Sequence, residues 1–266
     1  MTKLLPLSEA ALLCEHTAQV ARETAHLPLR EPECDIDEFD RQRGTTDLAD
    51  PLRTAHRMAQ FYLVGAGDFL YSIGTLLALD QPTVISPAVL ARSTGEYASR
   101  AKYLSSPDDG PEMRISKVWT LIMDGFTRMG ASKPYADPAM VEMVKRLERW
   151  RSGQTLPKSK VPDYTKLIEH LSPQMGRDEY ESLSQLVHAN ALRVTITGYA
   201  AASGHRHHHE NAWRQVLFAT ECALLAAREV CDLRDGDKRP LTECLEFFHG
   251  TVGAYNSYLE TDGAGA

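Results

Sequence analysis

The chain of 266 residues carries 29 Lys and Arg against 36 Asp and Glu, a formal net charge of -7, with 43% hydrophobic and 24% charged residues. That is the composition of an ordinary soluble globular protein able to bury a core without covalent staples, and its acidic balance argues against a broad surface for duplex DNA or anionic lipid. No run of about 18 apolar residues occurs, so no membrane span is expected, and Glu9 and Glu15 fall too early for a signal-peptide core. The five cysteines, Cys14, Cys34, Cys222, Cys231 and Cys244, form no Cys-x-x-Cys pair, and four lie in apolar-periodic segments. A reducing, cytoplasmic compartment is therefore expected.

Apolar residues recur three and four apart through nearly every segment, and alternating strand-like runs are scarce, which predicts an all-α protein. A first helix is expected over about Leu7 to Leu27 with Ser8 as cap, followed by an acidic, Pro-containing loop, PLREPECDIDEFDRQRGTT. The next helix opens with Asp50 as cap and Pro51 at its first position and runs apolar for many turns, as a central helix would. Gly65, Gly67 and Gly74 within it would each weaken an isolated helix by about 1 kcal/mol relative to Ala, so they predict close helix approach or a bend. Helices follow from Ser86 and Pro87, from Pro111, from Asp137 and from near Asp163, with a charged crossover, RSGQTLPKSKVPDYTK, before the last of these. One long helix is then expected from Arg177, with the β-branched run VTIT as its weak point. A His-rich loop, GHRHHHEN, leads to two closing helices, and residues 261–266 read as a disordered tail. The expectation is a single all-α domain over residues 1–260, a helical bundle of about eight to ten helices.

Two rows of polar residues stand out. Arg92, Glu96 and Arg100 are spaced four apart, so they stack on one helix face as a ladder of ion pairs. Leu90, Tyr97, Ala101 and Leu104 imply that much of the same helix is packed, where a charged pair needs close partners to offset desolvation. Tyr180, Ser184 and His188 form the second row at the same spacing. If the two helices face each other, the rows converge inside the bundle. As a site, the cluster would use His188 as base or acid, Glu96 to orient it, Ser184 as a nucleophile, and Arg92, Arg100 and Tyr180 to hold an anionic group. Asp68, an acid within VGAGDFLYSIG, must be paired or face solvent and is counted with the ligand-binding candidates. As structure, the same residues would be a satisfied network that fixes helix register.

Other signals are weaker. His205, His207, His208, His209 and Glu210 are metal-ligand types, but consecutive histidines on a helix cannot all face one ion, so no metal site is assigned. Glu246 and His249 have the Glu-x-x-His spacing of di-iron bundles without a second copy. Phosphate-loop, dinucleotide, zinc-protease and zinc-finger signatures are absent, and no motif designates a cofactor.

At RSTGEYASRAKYL and YESLSQLVHAN the chain resembles a bacterial, largely actinobacterial, group of helical proteins with an Arg-x-x-x-Glu helix and a later Tyr-x-x-x-Ser-x-x-x-His helix. That group is loosely similar to HEPN-type helical domains, a class that includes ribonuclease toxins and nucleotide-binding accessory proteins. The Arg and His spacing of the nucleases is absent here, since Arg22 to His26 is one residue too close. The expected role is binding of a small anionic or nucleotide-like ligand, or of a partner protein, with a homodimer compatible with the long apolar segments. The alternatives are an enzyme, either a HEPN-like nuclease or a tailoring hydrolase or transferase using His188, and a purely structural accessory protein.

Overall fold

The computed structural model describes residues 6–80, 83, 85–173, 175–202 and 206–263. Within them the chain forms eleven helices and no strand: α1 (Leu7–His26), α2 (Ile36–Arg43), α3 (Pro51–Leu77), α4 (Ser86–Leu104), α5 (Pro111–Arg128), α6 (Pro138–Ser152), α7 (Tyr164–Leu171), α8 (Gly176–Val187), α9 (Ala191–Ala202), α10 (Arg206–Cys231) and α11 (Arg239–Gly263). The all-α expectation holds, with slightly more helices than the eight to ten expected. Among the described residues no helix is long and apolar enough to cross a membrane.

The central helix is α3, which packs most extensively on α4 and α1. Pro51 opens it, where a missing N–H costs nothing. Asp50 stands at the cap position, but its carboxylate accepts from Arg57 at 2.8 Å. The free N–H groups of the first turn are instead satisfied from α2, where Asp40 accepts from Leu52 N at 2.7 Å and from Arg53 N at 3.1 Å.

The α3 glycines mark close approaches. A Cβ added at Gly67 would lie 3.2 Å from Ala18 O, and one at Gly74 would lie 3.0 Å from Ala11 O. The two are seven residues apart on one face, and the facing side of α1 is made of buried Ala11, Cys14, Ala18 and Ala21. Around the helix, Gly65 admits the ring of Tyr97 from α4, which meets Tyr62 and Phe69 edge-on at centroid distances of 5.5 and 5.0 Å. Gly95 of α4 in turn receives Phe218 of α10. Helices α1, α3, α4 and α10 thus share the main apolar cluster, to which α7, α8 and α11 add Ile168, Leu183 and Phe248. A second cluster joins Ile36, Leu52, Ala55, Ile115, Val118 and Trp150, from α2, α3, α5 and α6.

Several boundaries differ from expectation. Ser8 lies inside α1, which Pro6 precedes, and Ser86 is the first residue of α4, with Ile85 at the cap position. The acidic loop contains α2, started by Asp35, whose side chain accepts from Glu38 N, and anchored by buried Ile36. The expected long helix after Arg177 ends at Val187, ahead of VTIT, which is helical within α9. Arg206 to His209 begin α10 instead of forming a loop; His205 lies outside the described residues. Helix α11 runs to Gly263, so only residues 264–266 of the expected tail are undescribed.

Gly74→Val should lower stability by about 1–3 kcal/mol in urea denaturation, because the added methyls meet the α1 backbone. Gly125→Ala, where an added Cβ meets nothing within 4 Å, should raise it by up to about 1 kcal/mol.

Candidate functional site

The two polar rows meet in part, where α8 packs on α4. Arg92 Nη2 donates to Tyr180 Oη at 3.2 Å and lies 3.0 Å from Glu96 Oε1, while Tyr180 Oη donates to the same Oε1 at 3.0 Å. The Arg92 guanidinium also sits 5.2 Å above the Tyr180 ring. Arg100 Nη1 donates to Glu96 O at 2.8 Å and lies 3.9 Å from Glu96 Oε2, and its guanidinium stacks 4.0 Å over Tyr164 of α7. The side chains of Arg92, Glu96 and Arg100 are 20%, 25% and 16% exposed, so the network is half-buried rather than sealed. Burial pushes the Tyr180 phenol above its ordinary pKa, against the hydrogen bond from Arg92, so the hydroxyl keeps the proton it donates to Glu96. The two guanidiniums share the one carboxylate of Glu96, Arg92 Nε is buried without a hydrogen-bond partner among the described residues, and the network clamps α8 and α7 onto α4.

Three of the expected members stand elsewhere. His188 follows the last turn of α8, is exposed, and has no side-chain hydrogen bond among the described residues. The chain turns sharply there: Ala189 takes φ 52°, and Asn190 Oδ1 accepts from Arg193 N at 3.1 Å to start α9. Ser184 Oγ donates to Tyr180 O at 2.7 Å, back along its own helix, so it is not poised on His188 as a nucleophile. Asp68 faces away from the cluster on the exposed side of α3, accepting from Arg22 Nε at 3.1 Å and Nη2 at 2.6 Å.

A cleft of about 500 Å³ lies between the turn joining α7 to α8 and the hairpin of α10 and α11. Leu217 of α10, Phe248 and Val252 of α11 and Met175 give it an apolar floor, and Tyr255 closes one end. Tyr255 stacks near-parallel on Trp213 at 6.1 Å and donates to Glu210 O at 3.4 Å, and burial pushes its phenol up to about 12. Arg214, Glu221, His249 and Asn256 supply the polar lining. Two of these are held from outside the cleft: buried Glu179 of α8 accepts from Arg214 Nη2 at 2.8 Å, and Ser172 donates to Glu221. Glu179 and Tyr180 are neighbours in sequence, so the residue that grips α4 sits beside the one that grips Arg214. A wider groove of about 690 Å³ along α1, α3 and α11 opens on solvent, and its Arg22 and Glu23 are already bonded to Asp68 and Gln19.

A further charged node was not visible in the sequence. The carboxylate of Glu31, 1% exposed, accepts from Arg114 Nε at 3.0 Å and lies 3.2 Å from His56 Nε2, off the line of a good hydrogen bond. Arg114 also donates to Leu104 O, Ser106 O and Asp109 O at 3.3, 3.0 and 2.7 Å. Buried Arg234 reaches Leu233 O at 3.1 Å and His56 O at 3.5 Å, and desolvation lowers its pKa to about 10. The node joins the loop before α2, α3, α5 and the turn between α10 and α11, a turn paired to the loop by the Leu29 to Arg234 bridge. Its members come from four distant segments with no shared spacing, so only the fold assembles them.

Among the described residues no group of three or more His, Cys, Asp or Glu could hold a metal ion. Compared with protein-family models, curated proteins and solved structures, the chain matches none.

Burial holds His56 below the ordinary imidazole range, with Arg234 and Arg114 adding to the effect and Glu31 opposing it. Its contribution to stability is therefore complete above about pH 6.5, where the unfolded imidazole is also neutral, and is lost as pH falls from there toward the depressed folded value. The slope from this group is at most about 1.4 kcal/mol per pH unit. Urea denaturation at pH 7.5 and pH 5.5 should show a smaller loss on acidification in His56→Gln than in the parent protein.

Proposed function

We propose that this chain is a ligand-binding helical protein, and that its site is the cleft between the α7 to α8 turn and the hairpin of α10 and α11. One observation carries the proposal: an apolar floor of Leu217, Phe248 and Val252 lies beside charged groups fixed by partners outside the cleft. Small-molecule sites in helical bundles have this form, concave and mostly apolar with a few oriented polar groups, and about 500 Å³ suits a small organic molecule. Arg92, Glu96, Arg100 and Tyr180 act at one remove, by holding α8 and with it Glu179 and Arg214. In this reading they are positioning residues rather than ligand contacts, since none of the four lines the cleft.

Hydrolase or transferase chemistry at Ser184 and His188 draws no support from a hydroxyl bonded along its own helix and an imidazole standing apart. Nuclease chemistry is no better served, since His26 Nδ1 is within 2.7 Å of Arg22 O on the same exposed turn.

The test is a thermal-shift screen of the purified protein against small amphipathic acids, amines and nucleotides. A ligand at about a hundred times its dissociation constant adds about 2.7 kcal/mol of stability. Val252→Trp, which fills the cleft floor, should abolish any such shift while the protein still melts cooperatively, and His188→Ala should leave it unchanged. A shift that survives Val252→Trp but disappears in Arg92→Ala would overturn the cleft and move the site to the α4 and α8 network.

A further inference from the structure

The cleft has opposite charges at its two ends. Arg214 and Glu221 lie seven residues apart on α10, two turns along one face, which separates their backbone positions by about 10 Å along the helix axis. That distance is too great for them to neutralise each other directly. Between them runs Leu217, and the antiparallel α11 lays Phe248 and Val252 alongside. Each charge also retains bonding capacity. A guanidinium has five N–H donors, and one of those on Arg214 reaches Glu179, while the side chain is 55% exposed and lines the cleft. A carboxylate offers about four acceptor positions over two oxygens, and Ser172 occupies one on Oε2 of Glu221. Asn256, beside Tyr255, adds an amide to the lining.

We infer that the ligand is an elongated zwitterion: an apolar body about 10 Å long with an anionic group at the Arg214 end and a cationic amine at the Glu221 end. The inference rests on the cleft being the binding site. An ω-amino acid or a short apolar peptide with free termini has this chemistry. A nucleotide does not, because its phosphates would meet one arginine already shared with Glu179, and its base would face Glu221.

Three probes of equal chain length separate the contributions: the eight-carbon ω-amino acid, octanoate and octylamine, each titrated by calorimetry against the full chain. The zwitterion should bind at least about tenfold more tightly than either single-ended probe. In Arg214→Gln that advantage over octylamine should vanish, and in Glu221→Gln the advantage over octanoate should vanish, with each variant retaining the other contrast. Val252→Trp should remove binding of all three. If octanoate or octylamine binds as well as the zwitterion and Val252→Trp still removes it, the cleft stands and the ligand class is overturned. If none of the three binds, the zwitterion class is overturned as well, and the broader screen with Val252→Trp separately decides the fate of the cleft.

Discussion

Everything in this molecule is arranged around the absence of side chains at three positions of α3, two facing α1 and one facing α4. Gly67 and Gly74 let the helix lie against the backbone of α1, and Gly65 makes room for the Tyr97 ring from α4. Each glycine costs helix propensity, and the cost is offset by dispersion contacts and burial that a longer side chain would prevent. With α1 and α4 seated on α3, α10 closes the main core, and the hairpin it forms with α11 makes the cleft.

Polar interactions then set the finer geometry. A helix such as α8, of twelve residues, has little stability of its own and takes its place from what it touches. Leu183 and Leu186 bury it, Tyr180 fixes its rotation against Arg92 and Glu96, and Glu179 transmits that rotation to Arg214. The Glu31 node does comparable work at the opposite end. There the Glu31 carboxylate faces buried Arg114 and a histidine whose pKa burial lowers, and buried Arg234 packs on the backbone of that histidine. Such a node contributes little net stability when intact, but removing one member leaves charges without a partner.

The parts of this architecture that were legible in the sequence are those encoded at fixed spacing. The helical class follows from apolar periodicity, and the meeting of Arg92 and Glu96 with Tyr180 follows from two rows at intervals of four. Extending the second row to His188 failed because that inference assumes an unbroken helix. Neither Gly nor Pro marks the break, which depends on Ala189 entering the left-handed region and Asn190 starting a new helix. Helix α2 escaped notice because its stretch has few apolar residues and is held by Asp35 and by contacts to α3. The cleft was illegible for a different reason. Its stripes, Arg214 with Leu217 and Glu221, and Phe248 with Val252 and Tyr255, each look like an ordinary helix face until the hairpin brings them together.

The free cysteines give the molecule a property of its own. Cys14, Cys222, Cys231 and Cys244 are buried, while Cys34 is partly exposed; burial raises the pKa of every one of the five. A thiol kept protonated and out of water is chemically silent, so it reacts only when the surrounding segment opens. These four buried sulfurs are spread over α1, α10 and α11, and Cys244 faces Thr17 across the α1 and α11 contact. The folded chain therefore carries an internal set of chemical timers keyed to the opening of three helices, two of which, α10 and α11, form the walls of the cleft.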